Sequence, residues 1–158
     1  MKKKSQSNSI LASNPKARFD YQITKKTIAG VQLLGCEVKA LRLKSASLKG
    51  SYAKIIGDEI FLINAQINPY KFAVAKDYDP KRSRKLLLKK KEISKLKELS
   101  NAKNWTIVPL SILLRGNLIK VELGVGKGKK EFEKREIVKR RDIKRRLVSD
   151  YKIGKIKI

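Results

Sequence analysis

Glu37-Val38-Lys39 fits the Glu-x-Lys core of metal-dependent nucleases, in which a carboxylate holds the metal and a lysine attends the scissile phosphate; Asp20 would be the upstream acid. Three residues match such a pattern by chance often, and the second metal carboxylate has no evident source. Asp77 and Asp79 have the chemistry to hold a magnesium ion, although two carboxylates beside Pro80 more often build a turn. The sequence contains no histidine, so the commonest general base and zinc ligand are absent. Its single cysteine, Cys36, excludes an intramolecular disulfide and a multi-cysteine metal cluster, fits a reducing compartment, and beside Gly35 reads as a small apolar filler. Catalysis, a cofactor and a structural metal are therefore not expected. Glu37 has two plain readings left: a salt bridge with Lys39 or Arg42, or an acceptor for nucleobase amino groups.

Charge speaks more strongly than any of these motifs. Lys and Arg number 40 against 14 Asp and Glu, a net charge of +26 over 158 residues. That excess is costly to a compact state through self-repulsion and calls for a polyanionic partner. Nucleic acid and an anionic membrane surface both qualify, but no apolar run approaches the roughly 18 residues of a spanning helix. "MKKKSQSNSI" has no apolar segment after its basic start and does not read as a secretory signal, so a cytoplasmic protein is expected. The charge is densest at the end: six of the eight residues from Lys139 to Arg146 are basic, and from Gly126 onward 14 basic residues face 5 acidic ones. Phe132 lies inside this field. An exposed ring gains little in water, whereas a base stacked on it contributes about 1 to 3 kcal/mol. "KRSRKLLLKKKE" places Arg82, Arg84 and Lys85 beside an apolar triplet, either the wet face of an element or an RNA-contacting edge.

These residues need a scaffold, and the pattern predicts a mainly β one. Residues 1–16 are polar and aperiodic, a flexible basic arm. "FDYQITKKTIAGVQLL" predicts strand, followed by a short helix carrying Val38, Leu41 and Leu34. Gly57-Asp58 joins two short apolar runs, and Arg115-Gly116-Asn117 joins two more, so each pair predicts a hairpin. Between them Ile93, Leu96 and either Leu99 or Lys97 mark an amphipathic helix. Several strands with only two helices predict a small antiparallel barrel or sandwich over residues 17–130, the barrel being a partly open one of the oligonucleotide-binding type. Residues 131–158 form the basic tail. It is expected to be disordered when free, although Ile143, Leu147 and Tyr151 recur at four-residue steps suited to a helix formed on RNA.

The stretches "NPKARFDYQI", "AGVQLLGCEVKALR", "FLINAQINPY", "RSRKLLLKKKEI", "TIVPLSILL", "KVELGVGKGKKEFEKRE" and "KRRDIKRR", in this order, closely resemble the SmpB family, small proteins that bind transfer-messenger RNA (tmRNA). The resemblance implies a ribosome-rescue adaptor without chemistry of its own. It would bind the transfer-RNA-like domain of tmRNA, reach the stalled 70S ribosome with elongation factor Tu through the aminoacylated RNA, and place its tail against 16S ribosomal RNA in the vacant decoding centre and messenger channel. No membrane and no small-molecule substrate are implied.

Carried over by position, the family's RNA-binding residues fall on Glu37, Leu96 and Lys120, with Asn14, Lys16, Arg82, Arg84 and Lys85 at further recurring positions. The tail positions are Gly128, Lys129, Lys130, Phe132, Glu133, Lys134, Arg135, Lys139, Arg140, Arg141, Lys144, Arg145 and Arg146. Phe132 replaces the family's tyrosine or histidine, Glu133 its aspartate, Ala40 its serine and Gly50 a frequent aspartate. The competing readings are a generic basic ribosomal or single-strand RNA binder and the metal-dependent nuclease.

Overall fold

A computed structural model of the chain describes residues 8–73 and 76–154. Along the chain run β1 (Asn8–Ser13), α1 (Pro15–Asp20), β2 (Tyr21–Val31), α2 (Gly35–Arg42), β3 (Ala46–Ser47), β4 (Tyr52–Ile56), β5 (Glu59–Ile63), β6 (Gln66–Ile67), β7 (Arg84–Leu87), α3 (Lys90–Ser100), β8 (Trp105–Arg115), β9 (Leu118–Gly128) and α4 (Glu131–Lys152). The chain divides into two units after Gly128.

The first unit is organised by one antiparallel sheet in the order β1-β8-β4-β5-β7-β2-β9, with β8 pairing β9 as well, while β3 and β6 form a separate two-stranded ladder. Both expected hairpins are present. Gly57 and Gly116 take positive φ, +62° and +61°, the left-handed backbone that lets glycine close such turns without a Cβ clash. Strand β8 is buried almost continuously from Ile107 to Ile112 because both its faces are covered. Ile107 and Ile112 join Leu41, Ile60, Leu62, Leu86, Leu96, Val121 and Leu123 in the main core; Val108 and Leu110 pack with Ala17 of α1 on the other side. Each buried leucine or isoleucine contributes roughly 1.5 to 3 kcal/mol. Gly126 allows β2 and β9 to approach, since a Cβ there would lie 2.8 Å from the Gln22 carbonyl oxygen.

The helices follow their sequence signals. In α3, Ile93 and Leu96 are buried and Leu99 is marginally exposed; in α2, Leu41 is buried while Leu34 stays outside. Among the described residues four helices are found rather than the two expected. The additional α1 begins at Asn14-Pro15: the Asn14 side chain accepts from the Ala17 N–H at 3.2 Å, and proline at the first helical position has no N–H to satisfy.

Two further expectations change. Residues 8–13, placed with the flexible arm, form β1 against β8, because Leu11 and Ala12 bury apolar surface while the backbone pairs; residues 1–7 lie outside the described residues. The tail, expected disordered when free, is helical from Glu131 to Lys152. Local terms account for this: the Glu133 carboxylate accepts from the Lys130 N–H at 2.7 Å, Glu131 and Glu133 face the positive end of the helix dipole, and Glu131–Lys134 and Glu136–Arg140 pair along the surface. The helix buries none of its residues. Residues 155–158 of the expected tail lie outside the described residues.

Candidate nucleic-acid interface

Glu37 sits in the first turn of α2 with its side chain fully buried. Its Oε2 accepts from the Leu34 N–H at 2.9 Å and from Arg82 Nη2 at 2.6 Å. Its Oε1 accepts from Arg82 Nε at 2.8 Å, Arg84 Nε at 2.9 Å and the Tyr78 hydroxyl at 3.1 Å. Five donors thus converge on two oxygens with about four lone-pair directions. Burial alone would raise the carboxyl pKa, but the Arg82 hydrogen bond, the Leu34 N–H and the bond and charge of Arg84 overcome it and hold the group at about 2. The same cluster raises Tyr78, through burial and the nearby carboxylate, and raises Arg82 through its bond to Glu37.

This arrangement corrects both readings of Glu37. Its partners are Arg82 and Arg84 rather than Lys39 or Arg42, and a saturated, buried carboxylate has no lone pair left for a nucleobase or a metal ion. The nuclease reading loses its central ligand. Among the described residues no group of three or more acidic, cysteine or histidine side chains is placed to hold a metal. Asp79 makes the turn expected beside Pro80, its Oδ1 accepting from the Lys81 N–H at 2.9 Å. Cys36 is half-buried, a poorer filler than expected.

Arg84, expected on a wet face or an RNA edge, has no exposed surface. It donates to the carbonyls of Ala65 at 2.7 Å, Arg82 at 2.9 Å and Pro80 at 3.0 Å, tying β7 to the link between β5 and β6 and to the end of the 68–83 loop. Asn14 is also buried: its Nδ2 donates to the carbonyls of Leu48 at 3.1 Å and Pro109 at 3.0 Å, fastening α1 to the bulge in β8. Leu96 belongs to the core. Asn14, Glu37, Arg84 and Leu96 therefore shape the surface from beneath.

Lys16 is exposed on α1, Arg82 and Lys120 are half-buried, and Lys85 is half-buried on β7 and paired with Glu59. Glu37, Arg82 and Arg84 are brought into direct contact with one another. The fold also exposes cations that motif reasoning passed over. A groove of about 450 Å³ between β2 and α3 is lined by Lys25, Lys26, Lys95, Glu92 and the edge of Leu96. The signal was a lysine pair inside a β pattern, "ITKKTI", where one wet face accounts for only alternate residues.

In the second unit Lys129 and Lys130 lead from Gly128 into α4, which carries Phe132, Glu133, Lys134, Arg135, Lys139, Arg140, Arg141, Lys144, Arg145 and Arg146. Phe132 is 61 % exposed. Ile143, Leu147 and Tyr151 keep their four-residue spacing on the helix and are exposed too.

The family model described as SmpB protein matches residues 11–153. The SsrA-binding protein of Elusimicrobium minutum is 42% identical over 157 residues, 99% of each chain. That of Chlorobium luteolum is 47% identical over 150 residues, 93% of this chain and 96% of its own. A solved structure described as "tmRNA-SmpB: a journey to the center of the bacterial ribosome" superposes with a TM-score of 0.65 at 40% identity, over 75% of this chain and 84% of the other.

Proposed function

The chain belongs to the SmpB family, and from that premise we propose that it is the tmRNA-binding adaptor of ribosome rescue, which carries tmRNA to ribosomes stalled without a codon. It is a binding protein and not an enzyme. The observation that carries this reading is the similarity, 42% identity, to an SsrA-binding protein over 99% of both chains. The charge of +26 supports it physically, since cations laid along phosphates release counterions and add affinity.

The first unit takes the transfer-RNA-like domain of tmRNA, and the sheet is read as a closed barrel of the oligonucleotide-binding type. The β8–β9 ladder supports closure, because it links the far end of the sheet back to a strand near its beginning. Lys25, Lys26, Lys95 and Lys120 meet phosphates beside Leu96, and Lys16 meets them at α1. Glu37 and Arg84 hold α2, β7 and the 68–83 loop in place and contribute to RNA binding through that support; Arg82, half-exposed, does both. Residues 131–158 enter the vacant decoding centre and messenger channel, with Phe132 stacking on a ribosomal RNA base. Elongation factor Tu joins through the aminoacylated tmRNA, and the cytoplasm is the compartment in which this takes place; among the described residues no helix is long and apolar enough to cross a membrane.

Recovery of the RNA that stays on the purified protein at moderate salt tests the reading. tmRNA should dominate that pool and outcompete single-stranded RNA of equal length. An unselective mixture of RNAs would replace this function with that of a generic basic binder.

A further inference from the structure

Lys39, the lysine of the Glu-x-Lys motif, does not face Glu37: its ammonium stands over the ring of Tyr70 at 5.5 Å. Tyr70 in turn meets Phe72 edge to face, with ring centroids 5.6 Å apart, and the Lys71 ammonium lies 5.9 Å from the Phe72 centroid. The base of this segment is fixed. Asn68 N–H donates to the Ser45 carbonyl at 3.0 Å, its Nδ2 to the Ser45 hydroxyl at 3.2 Å, and Tyr70 packs on the core. Phe72 nevertheless stands 77 % exposed. A phenyl ring left in water on an anchored segment gains nothing from the protein's own packing, and each ring has a lysine beside it. Aromatic faces flanked by cations suit an unpaired nucleobase with its neighbouring phosphates.

We infer that Tyr70 and Phe72, with Lys39 and Lys71, form a base-stacking platform on the first unit, on which an unpaired base of the RNA partner lies against Phe72 while the lysines meet its phosphates. An acidic protein surface would use the lysines but not the open ring face, and the charge of +26 favours nucleic acid. The platform rests on the reading of the chain as an RNA binder.

The test uses the full chain and a full-length tmRNA transcript, with affinity measured across a salt series. Phe72→Ala should weaken binding by about ten- to a hundredfold and leave the melting temperature unchanged. The salt slope should stay as in the wild type, because removing a ring releases no counterion. Phe72→Leu should be as weak as alanine, whereas Phe72→Trp should restore affinity. Lys71→Ala should instead reduce the slope by about one. Wild-type binding with Phe72→Ala within twofold of it overturns the platform and leaves the RNA reading intact; so does Phe72→Leu binding like the wild type, which would mean apolar contact without stacking. No wild-type binding to tmRNA overturns the RNA reading and the platform with it.

Discussion

Arg84 Nη2 lies 2.7 Å from Glu37 Oε1, and neither side chain retains any exposed surface. A buried pair of this kind stabilises little relative to a well-packed apolar pair, but losing one partner strands the other charge and costs about 3 to 5 kcal/mol. Glu37→Ala should therefore lower the melting temperature by on the order of 10 °C, and tmRNA affinity should fall with it as α2 and the loop loosen. Calorimetry and filter binding on the same samples check this. A melting temperature within 2 °C or so of wild type would return Glu37 to the surface role that its sequence context suggested.

The same cluster fixes a pH dependence. Glu37 is held at about 2 against an ordinary 4.5, so the folded protein binds this proton more weakly than the unfolded chain. Its stabilisation is then fully present above pH 4.5 and fades as pH falls from 4.5 toward 2. The shift corresponds to about 3 kcal/mol. Urea midpoints measured from pH 2 to 6 should show a steep acid decline in the wild type that is weaker in Glu37→Gln, so that the gap between the two curves narrows as pH falls from 4.5 toward 2; parallel curves would place the acid sensitivity on other carboxylates.

How much of this was legible in the sequence depended on how local each signal was. Gly57-Asp58 and Gly116-Asn117 announce their turns within four residues, and Ile93 and Leu96 carry the helical period by themselves. β1 is six residues long and pairs with β8, about 100 positions away, so a polar beginning concealed it. Arg84 was misplaced for a related reason. Arginine is almost never fully buried unless paired, and its partners Glu37 and the Ala65 and Pro80 carbonyls converge only in three dimensions. Asn14-Pro15 did carry a local helix-start signal, which the basic composition around it masked.

Salt dependence should report on the groove between β2 and α3. If roughly five phosphates are neutralised, log affinity for tmRNA should fall with log salt at a slope near −4. Lys25→Ala and Lys95→Ala should each reduce the slope by about one and weaken binding to all RNA sequences alike. A slope near zero in the wild type would mean that the interface does not rest on cations.

Helix α4 should be the first part of the chain to open. It buries no residue, and its like-charged pairs at four-residue spacing, Arg140 with Lys144 and Arg141 with Arg145, offset its few favourable ones. Backbone amides from Lys134 to Tyr151 should exchange with solvent far faster than those of β8, and should slow when the protein is bound to ribosomes. Protection in the free chain equal to that of β8 would show tertiary support for the helix.

Phe132 lies in the first turn of α4, 61 % exposed, with lysines at 129, 130 and 134. If the first unit binds tmRNA, charge brings the tail to ribosomal RNA and the ring sets its register on a base, removing the ring should spare tmRNA binding and impair only the step on the ribosome. Phe132→Ala should thus leave tmRNA affinity within about twofold while slowing peptide tagging on codon-less ribosomes by roughly ten- to a hundredfold, the value of one lost stack. Phe132→Tyr keeps the ring face and should be nearly silent. Truncation after Lys130 should abolish tagging and still bind tmRNA. Because Phe132 is exposed, none of these changes should move the melting temperature of the first unit, so a folding defect cannot imitate the result. Equal losses of tmRNA binding and tagging in Phe132→Ala, or no loss in either, would refute this division of labour between the two units.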